Sequence, residues 1–501
     1  MSLFEVKDID AMRADAAGEG SGLRRVLGTK QLVFLGIGAV IGAGIFSTLG
    51  DAAAGSADRA GAGPAVVLSF LLLGGVCALA GLCYAEMAAM LPAAGSAYTY
   101  SYLTLGRLAA WIVGWNLILE YAIGNVGVAI SWSSYLQGVL GAFGVTLPGW
   151  LGVGWYDLQE QIATAVALGD AAERARLEAI AADAPGLFGQ PLCINLPAVA
   201  ITAVITMLLV RGIRESARAN DVMVLIKLVV LVLFLGVGAF YVDPGNWRPF
   251  APNGWTGIHQ GAAIVFFAFI GFDAISTAAE ETRDPQRTMP RGILGALAIC
   301  TLIYMAVGAV ATGMLPYAQL KASNPLVTAF EQAHLPAVEL IVGLGAVVSM
   351  TAVLLVFQLG QPRILMAMAR DGLMPRRFGA VHGTYRTPHV ATVLTGVFVG
   401  LATAVMDDGL AYELCNIGTL LAFASVSLGV LVLRVKRPDL PRPFRVPAVW
   451  VVAPLAIAAC VYTMAGLPAT SWTRFVVWLG IGLVLFFAFA RRSGPAAGGV
   501  R

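Results

Sequence analysis

LVFLGIGAVIGAGIFSTLG, residues 32–50, is long and apolar enough to cross a bilayer, yet Gly36, Gly38, Gly42, Gly44 and Gly50 interrupt it. A glycine inside a helix costs ~1 kcal/mol relative to alanine. The trio Gly42-Ala43-Gly44 therefore invites the helix to break at mid-membrane. Broken backbone at that depth persists only where it lines a cavity or is buried in protein. The N–H groups that open a half-helix attract anions, so the stretch reads as a candidate carboxylate site. The same glycines also suit a face for close helix–helix packing, and on this stretch alone both readings stand.

The surrounding chain places the stretch in a membrane. Of 501 residues, 58% are hydrophobic and 12% charged, against roughly 25% charged in a soluble domain. A span needs ~20 apolar residues. That rule predicts an all-α polytopic protein with twelve spans, near 32–56, 64–91, 108–140, 194–211, 219–241, 257–279, 291–313, 337–361, 388–406, 411–433, 448–467 and 472–490. With the N-terminus assigned to the cytoplasm, cytoplasmic segments hold 25 of the 32 Lys and Arg, external segments hold six, and Lys227 lies within a span. That asymmetry predicts an even number of spans with both ends inside. Residues 1–25 have acidic residues and no apolar core, which argues against a cleavable signal peptide. Abundant alanine, glycine and arginine point to a bacterial cytoplasmic (inner) membrane.

Several function classes drop out. The six cysteines have no CxxC spacing and the four histidines do not cluster, so neither a disulfide framework nor a metal site is expected. No nucleotide loop and no nucleophile motif is present, so no cofactor and no enzyme activity are expected. The +3 net charge sits in loops and gives no reason to expect nucleic acid.

The sixth span, AAIVFFAFIGFDAISTAAEE at 262–281, has a second weak point at Ile270-Gly271-Phe272, with Asp273 next. Interrupted helices five spans apart are the mark of inverted-repeat transporters, which bind substrate between them. The expected organisation is a cytoplasmic segment 1–31, a first repeat 32–241 with an extended external loop 141–193, a second repeat 257–434, two trailing helices within 448–490 and a tail 491–501. Residues 157–183 of the loop read either as a short amphipathic helix or as a disordered insertion. VKRPDLPRPFRVP, 435–447, has four prolines that forbid a helix, and its basic residues suit anionic lipid headgroups.

GIGAVIGAGIF at 36–46 resembles the first-helix signature of the amino acid–polyamine–organocation superfamily, and YAEMAAMLPAAGSAYTYSY at 84–102 its second motif. FFAFIGFDAISTAAEETRDPQRTMP at 266–290 and GQPRILMAMARDGLMP at 360–375 are similar to bacterial members of its cationic amino acid transporter family. The resemblance implies a five-plus-five inverted repeat of the leucine-transporter type, two added helices, and proton-coupled amino acid uptake. Carried over, the carboxylate site falls on the backbone of Gly42, Ala43 and Gly44. Many relatives have Thr or Ser where Ala43 stands. The amino group would meet carbonyls at Phe267, Ala268 and Ile270, with Phe267 as an occluding lid. Phe357, by motif, replaces a smaller residue in the side-chain compartment. It shortens that compartment and favours small or medium neutral amino acids over cationic ones.

Charges inside spans cost about 2.5–3.5 kcal/mol on insertion scales. Lys227 lies six residues inside Asp221 and reads either as a snorkelling side chain or, by the resemblance, as an ammonium in place of sodium. Its implied partners are carbonyls near Gly38 and Ile41, a hydroxyl from Ser349 or Thr351, and the Glu120 carboxylate, so its protonation would follow the transport cycle. Glu86 and Glu280–Glu281 are expected to form conformational ion pairs with Arg363, Arg370 or their neighbours. The leading expectation is a proton-coupled amino acid importer. An amino acid or polyamine exchanger and a non-transporting amino acid sensor are the alternatives.

Overall fold

The computed structural model describes residues 3–8, 27–56, 59–91, 96–169, 171–187, 190–212, 217–277, 282–321, 324–385 and 387–490. The first apolar stretch divides. Helix α1, Thr29–Val40, stops because Ile41 is extended (φ −77°, ψ 105°). A π-turn, Gly44–Thr48, then leads into α2, Leu49–Ala54. The two halves are bent by 43°. Next come α3, Val66–Met90, and the short α4, Ser96–Thr104. Helices α5, Arg107–Ile118, and α6, Gly124–Ala142, run on as one span through a π-turn at Leu119–Ile123.

A helical hairpin follows, α7, Trp155–Leu168, and α8, Ala171–Asp183. It has a small core of its own, Val153, Leu158, Ala165, Leu177 and Cys193. Both helices are therefore ordered by packing, and the disordered-insertion reading does not hold. Helices α9, Leu196–Arg211, and α10, Ala217–Gly238, complete the first half.

The sixth span is the second broken one. Helix α11, Gly254–Val265, tightens into a 3-10 turn at Phe266–Phe269 and unwinds at Ile270 before the one-turn α12, Ala274–Thr277. Gly271 sits at φ +109°, a conformation that side chains with a Cβ rarely adopt. The rest is α13, Pro285–Met314; α14, Pro325–Gln332; α15, Pro336–Arg370; α16, His389–Val405; α17, Asp408–Lys436; α18, Val449–Ala465; and α19, Ala469–Leu485. Two short ribbons, 55–56 with 59–60 and 186–187 with 190–191, are the named strands.

Among the described residues, eight helices are long and apolar enough to cross a membrane, and the bent pair α1–α2 makes a ninth. The apolar helices α9, α16 and α18 are shorter. One continuous core runs through the bundle, with α13 packed on both α1 and α3, and α15 packed on α6. The outermost helix, α19, buries little and exposes Val476, Val477, Ile481 and Val484. An apolar face of that kind belongs against lipid. This is a multi-pass all-α membrane protein.

The hairpin roofs a cavity of about 470 Å³. Its walls include Asp51, Asp157, Glu160, Asp407 and Asp408, with Arg59, Arg176 and Lys321 as the bases. Burial pushes the Asp157 carboxyl from its ordinary 3.8 up to about 7, opposed by a hydrogen bond from Gln161. A carboxyl with a raised folded-state value favours the folded hairpin while it is protonated. That contribution is full below the unfolded value and is lost as pH rises through about 7. Amide hydrogen exchange across 155–183, corrected for intrinsic rates, should therefore be slower in acid than in alkali. Asp157→Asn should shrink that difference, and an unchanged difference would contradict the assignment.

Candidate substrate and coupling site

The two breaks touch. A Cβ added at Gly44 would fall on the Ala268 backbone, and one added at Gly271 would lie 2.8 Å from Ala39 O. So the glycines do both things the sequence left open. They interrupt the helices, and they let the interruptions approach within backbone contact. The side chain of Val353 on α15 fills the space beside Gly42.

A broken helix leaves carbonyls without their usual donors, and three side chains supply them here. Lys227 on α10 is fully buried, so it does not snorkel. Its ammonium donates to Gly38 O at 2.8 Å and Ile41 O at 2.7 Å. Ser349 Oγ donates to the same Ile41 O at 3.3 Å. The Tyr304 hydroxyl lies 3.0 Å from Val40 O and 2.8 Å from Ala268 O. One tyrosine on α13 thus bridges both breaks. It was missed in the sequence, where a mid-span tyrosine that must find a partner was the available signal.

Two expected partners of Lys227 are elsewhere. Thr351 Oγ1 donates to Val347 O at 2.8 Å and accepts from Trp132 Nε1 at 2.9 Å. Ser349 and Thr351 are two residues apart on one helix, and side chains at that spacing do not share a face. Glu120, carried inward by the π-turn, faces Asp273 and Thr419. The lysine is satisfied by carbonyl dipoles, and the glutamate belongs to a carboxyl pair. Asp273 Oδ2 accepts from the Tyr121 hydroxyl at 3.2 Å and Ser96 Oγ at 3.4 Å. Among the described residues, Asp273 Oδ1 and both Glu120 oxygens are buried without a hydrogen bond of normal geometry.

Aromatic rings wall the space beside the breaks. Phe267 stands edge-on to Phe357 at 6.3 Å and against Tyr412 at 4.3 Å, and Phe357 meets Tyr121 at 5.7 Å. A Cβ at Gly124 would meet Cys415 Sγ at 2.9 Å and Phe357 at 3.1 Å. Ile270 is buried at the point of unwinding. Ala43, also buried, opens the second half of the first broken span.

Glu86 differs from expectation. Its carboxylate pairs with Arg434 at 2.6 Å and Arg442 at 3.4 Å, and accepts from Val446 N at 2.7 Å. These partners come from the last turn of α17 and the proline-rich loop, because α17 carries arginine at its C-terminus beside the end of α3. Glu280 and Glu281 lie outside the described residues. Asp371, at the end of α15, instead pairs with Lys7 at 2.9 Å and accepts from the Tyr98 hydroxyl at 2.8 Å.

Two touching helix breaks, a buried ammonium and a carboxyl pair meet inside the helical bundle, and the amino acid permease family profile matches residues 27–489. The chain belongs to the amino acid permease family. It is a membrane transporter and not an enzyme. It is 42% identical to the branched-chain amino acid permease BcaP of Bacillus subtilis and 41% identical to that organism's methylthioribose transporter. Each match covers 98% of both chains. It is also 35% identical to the chloroplastic cationic amino acid transporter 9 of Arabidopsis thaliana, over 83% of this chain and 67% of that one.

The contact between breaks sets a test. Gly44→Val should lower uptake by about 100-fold, as ångström-scale displacement of binding groups does. The protein should still insert and run as a single species in detergent. Gly42→Val, against Val353, should act in the same direction. Normal uptake affinity in either variant would exclude this backbone from the binding site.

Proposed function

We propose that this permease imports amino acids across a bacterial cytoplasmic membrane by alternating access, in symport with protons. The observation that carries the reading is the ammonium of Lys227 on the carbonyls of the first break. A fixed cation there does the electrostatic work of a bound sodium ion, and unlike sodium it can lose its charge by losing a proton. The twelve-span count rests on the nine apolar spans and three shorter apolar helices, with both termini cytoplasmic by the distribution of basic residues. The five-plus-five repeat, 32–241 and 257–434, is supported by breaks in spans five helices apart.

In this reading the substrate carboxylate takes the N–H groups at Gly42, Ala43 and Gly44. Its amino group takes carbonyls of the second break, at Phe267 and Ile270. The Ala268 carbonyl is shared with Tyr304. Phe267 covers the site, and the Glu120–Asp273 carboxyl pair is a second place for a proton. An amino acid presents one anion and one cation, and opposed half-helix ends answer both.

Hydrogen bonds to a charged group contribute about 1.5–3 kcal/mol each. Lys227→Met should therefore lose gradient-driven accumulation by tenfold or more, roughly the value of one such bond, while keeping the apolar stem and substrate binding. Glu120→Gln should move the pH dependence of uptake. The assay is radiolabelled uptake in proteoliposomes with an imposed pH gradient and sodium replaced by potassium. Undiminished accumulation by Lys227→Met, strict sodium dependence, or a requirement for internal counter-substrate would each end the symport reading.

Phe357 sets the expected size of the substrate. Its ring fills the compartment beside Phe267 and Tyr121 and brings no carboxylate for a guanidinium. Small or medium neutral amino acids such as alanine should compete for uptake better than arginine. Phe357→Ala should widen acceptance towards larger side chains. Arginine outcompeting alanine in the wild type would refute this assignment.

A further inference from the structure

Each hydroxyl owns one proton, and the proton count at the start of α17 points to a latch above the site. Tyr412 is 4% exposed and lies on the Phe267 ring at 4.3 Å. Gly127 on α6 leaves the room that the Tyr412 ring occupies, since a Cβ there would lie 2.8 Å from Cδ1. The Tyr412 hydroxyl is 3.0 Å from Gly127 O and 2.5 Å from Ser131 Oγ. Ser131 Oγ is in turn 3.0 Å from Asp408 Oδ2. Asp408 lines the cavity under the hairpin. A series of contacts therefore runs from that cavity to the ring that covers the substrate site.

The series cannot be complete in both states of Asp408. When Asp408 is ionised, Ser131 donates to it, and the single Tyr412 proton serves either Ser131 or Gly127. One of the three contacts is then unmade. When Asp408 carries a proton, it donates to Ser131, Ser131 donates to Tyr412, and Tyr412 donates to Gly127. All three are made. Ser47 also lies near the tyrosine hydroxyl, but among the described residues its Oγ makes no hydrogen bond and does not enter this count.

We propose that Tyr412 is the positioning residue that holds Phe267 closed, and that a proton taken by Asp408 from the cavity completes the latch. This rests on the lid role of Phe267 and the sidedness given above. The charged and titratable groups that share the cavity with Asp408 are Asp51 from α2, Asp157, Glu160, Glu173 and Arg176 from the hairpin, its neighbour Asp407, and Arg59 and Lys321 across the cavity.

Cys415, one turn deeper on α17 and fully buried beside Gly124, is a native reporter. Full-length protein in right-side-out and inside-out vesicles is treated with a membrane-impermeant maleimide, without substrate. Modification of Cys415 is read by peptide mass spectrometry at about pH 5.5 and about pH 8. Rates are divided by those of Phe267→Ala at the same pH, which removes the lid and cancels the thiol's own titration. Wild type should label more slowly in acid. Tyr412→Phe and Ser131→Ala should label roughly fivefold faster in acid, the effect of about one hydrogen bond, and lose the pH response. Asp408→Asn, whose amide donates at every pH, should stay slow in alkali. The latch is overturned if Tyr412→Phe labels like wild type, if Asp408→Asn labels quickly in alkali, or if Phe267→Ala is no faster than wild type. Because no substrate is used, failure of amino acid transport leaves the result readable. The expected pattern seen only from the opposite face keeps the latch and reverses the orientation.

Discussion

The structure depends on how a membrane protein satisfies carbonyls that a broken helix sets free. In water such groups hydrogen-bond to solvent, but at this depth each must find a protein donor. Lys227, Ser349 and Tyr304 are those donors, drawn from α10, α15 and α13. They tie the first break to α10, α15 and α13, and Tyr304 ties it to the second break as well. Burying an ammonium is costly unless it is paired and hydrogen-bonded. Here the cost is offset by two carbonyl dipoles at 2.7–2.8 Å. The charge and the break each make the other tenable, so removing either partner exposes the other.

Much of this was legible in sequence, for identifiable reasons. Glycines clustered in an apolar run carry a local energetic cost, so the breaks could be placed within a residue or two. A lone lysine in a span has few tenable environments, so Lys227 stood out. What was not legible was which distant side chains meet. Ser349 and Thr351 looked equivalent until their opposite helix faces separated them. Glu120 is a partner of the lysine only by what the family resemblance implies, and it faces Asp273 and Thr419 instead. The π-turn that carries it, and the approach of Asp273 from the second break, depend on the packing of helices far apart in the chain. Tyr304 and Tyr412 gave no local pattern, because a tyrosine among apolar residues is common and its partner is tertiary. The hairpin was ambiguous because its small core comes from four separate stretches, 153–158, 165, 177 and 193.

The two ends of the bundle are built differently. At the hairpin end, carboxyls line an open cavity and short hydrogen-bonded series reach down from it. At the opposite end, ion pairs between distant segments close the surface, Lys7 with Asp371 and Glu86 with Arg434 and Arg442. Arg442 also donates to the carbonyls of Leu433, Arg437 and Leu440, so one guanidinium caps the end of α17 and fixes the proline-rich loop. Removing one partner of a buried ion pair leaves an uncompensated charge, and the Glu86–Arg442 pair is buried on both sides.

The Glu86 clamp also bears on the order in which the chain is made. Glu86 leaves the ribosome with the second span, while Arg434 follows 348 residues later. At synthesis rates of ~5–20 residues per second, the carboxylate waits roughly 17–70 s for its first arginine. Through that interval it is an uncompensated charge at a site that is 2% exposed once assembled. The packing around Glu86 at the end of α3 is therefore completed only when α17 and the proline-rich loop arrive. The last proline-rich loop seals the bundle, and a nascent chain halted before it holds an unfinished seam rather than a finished half.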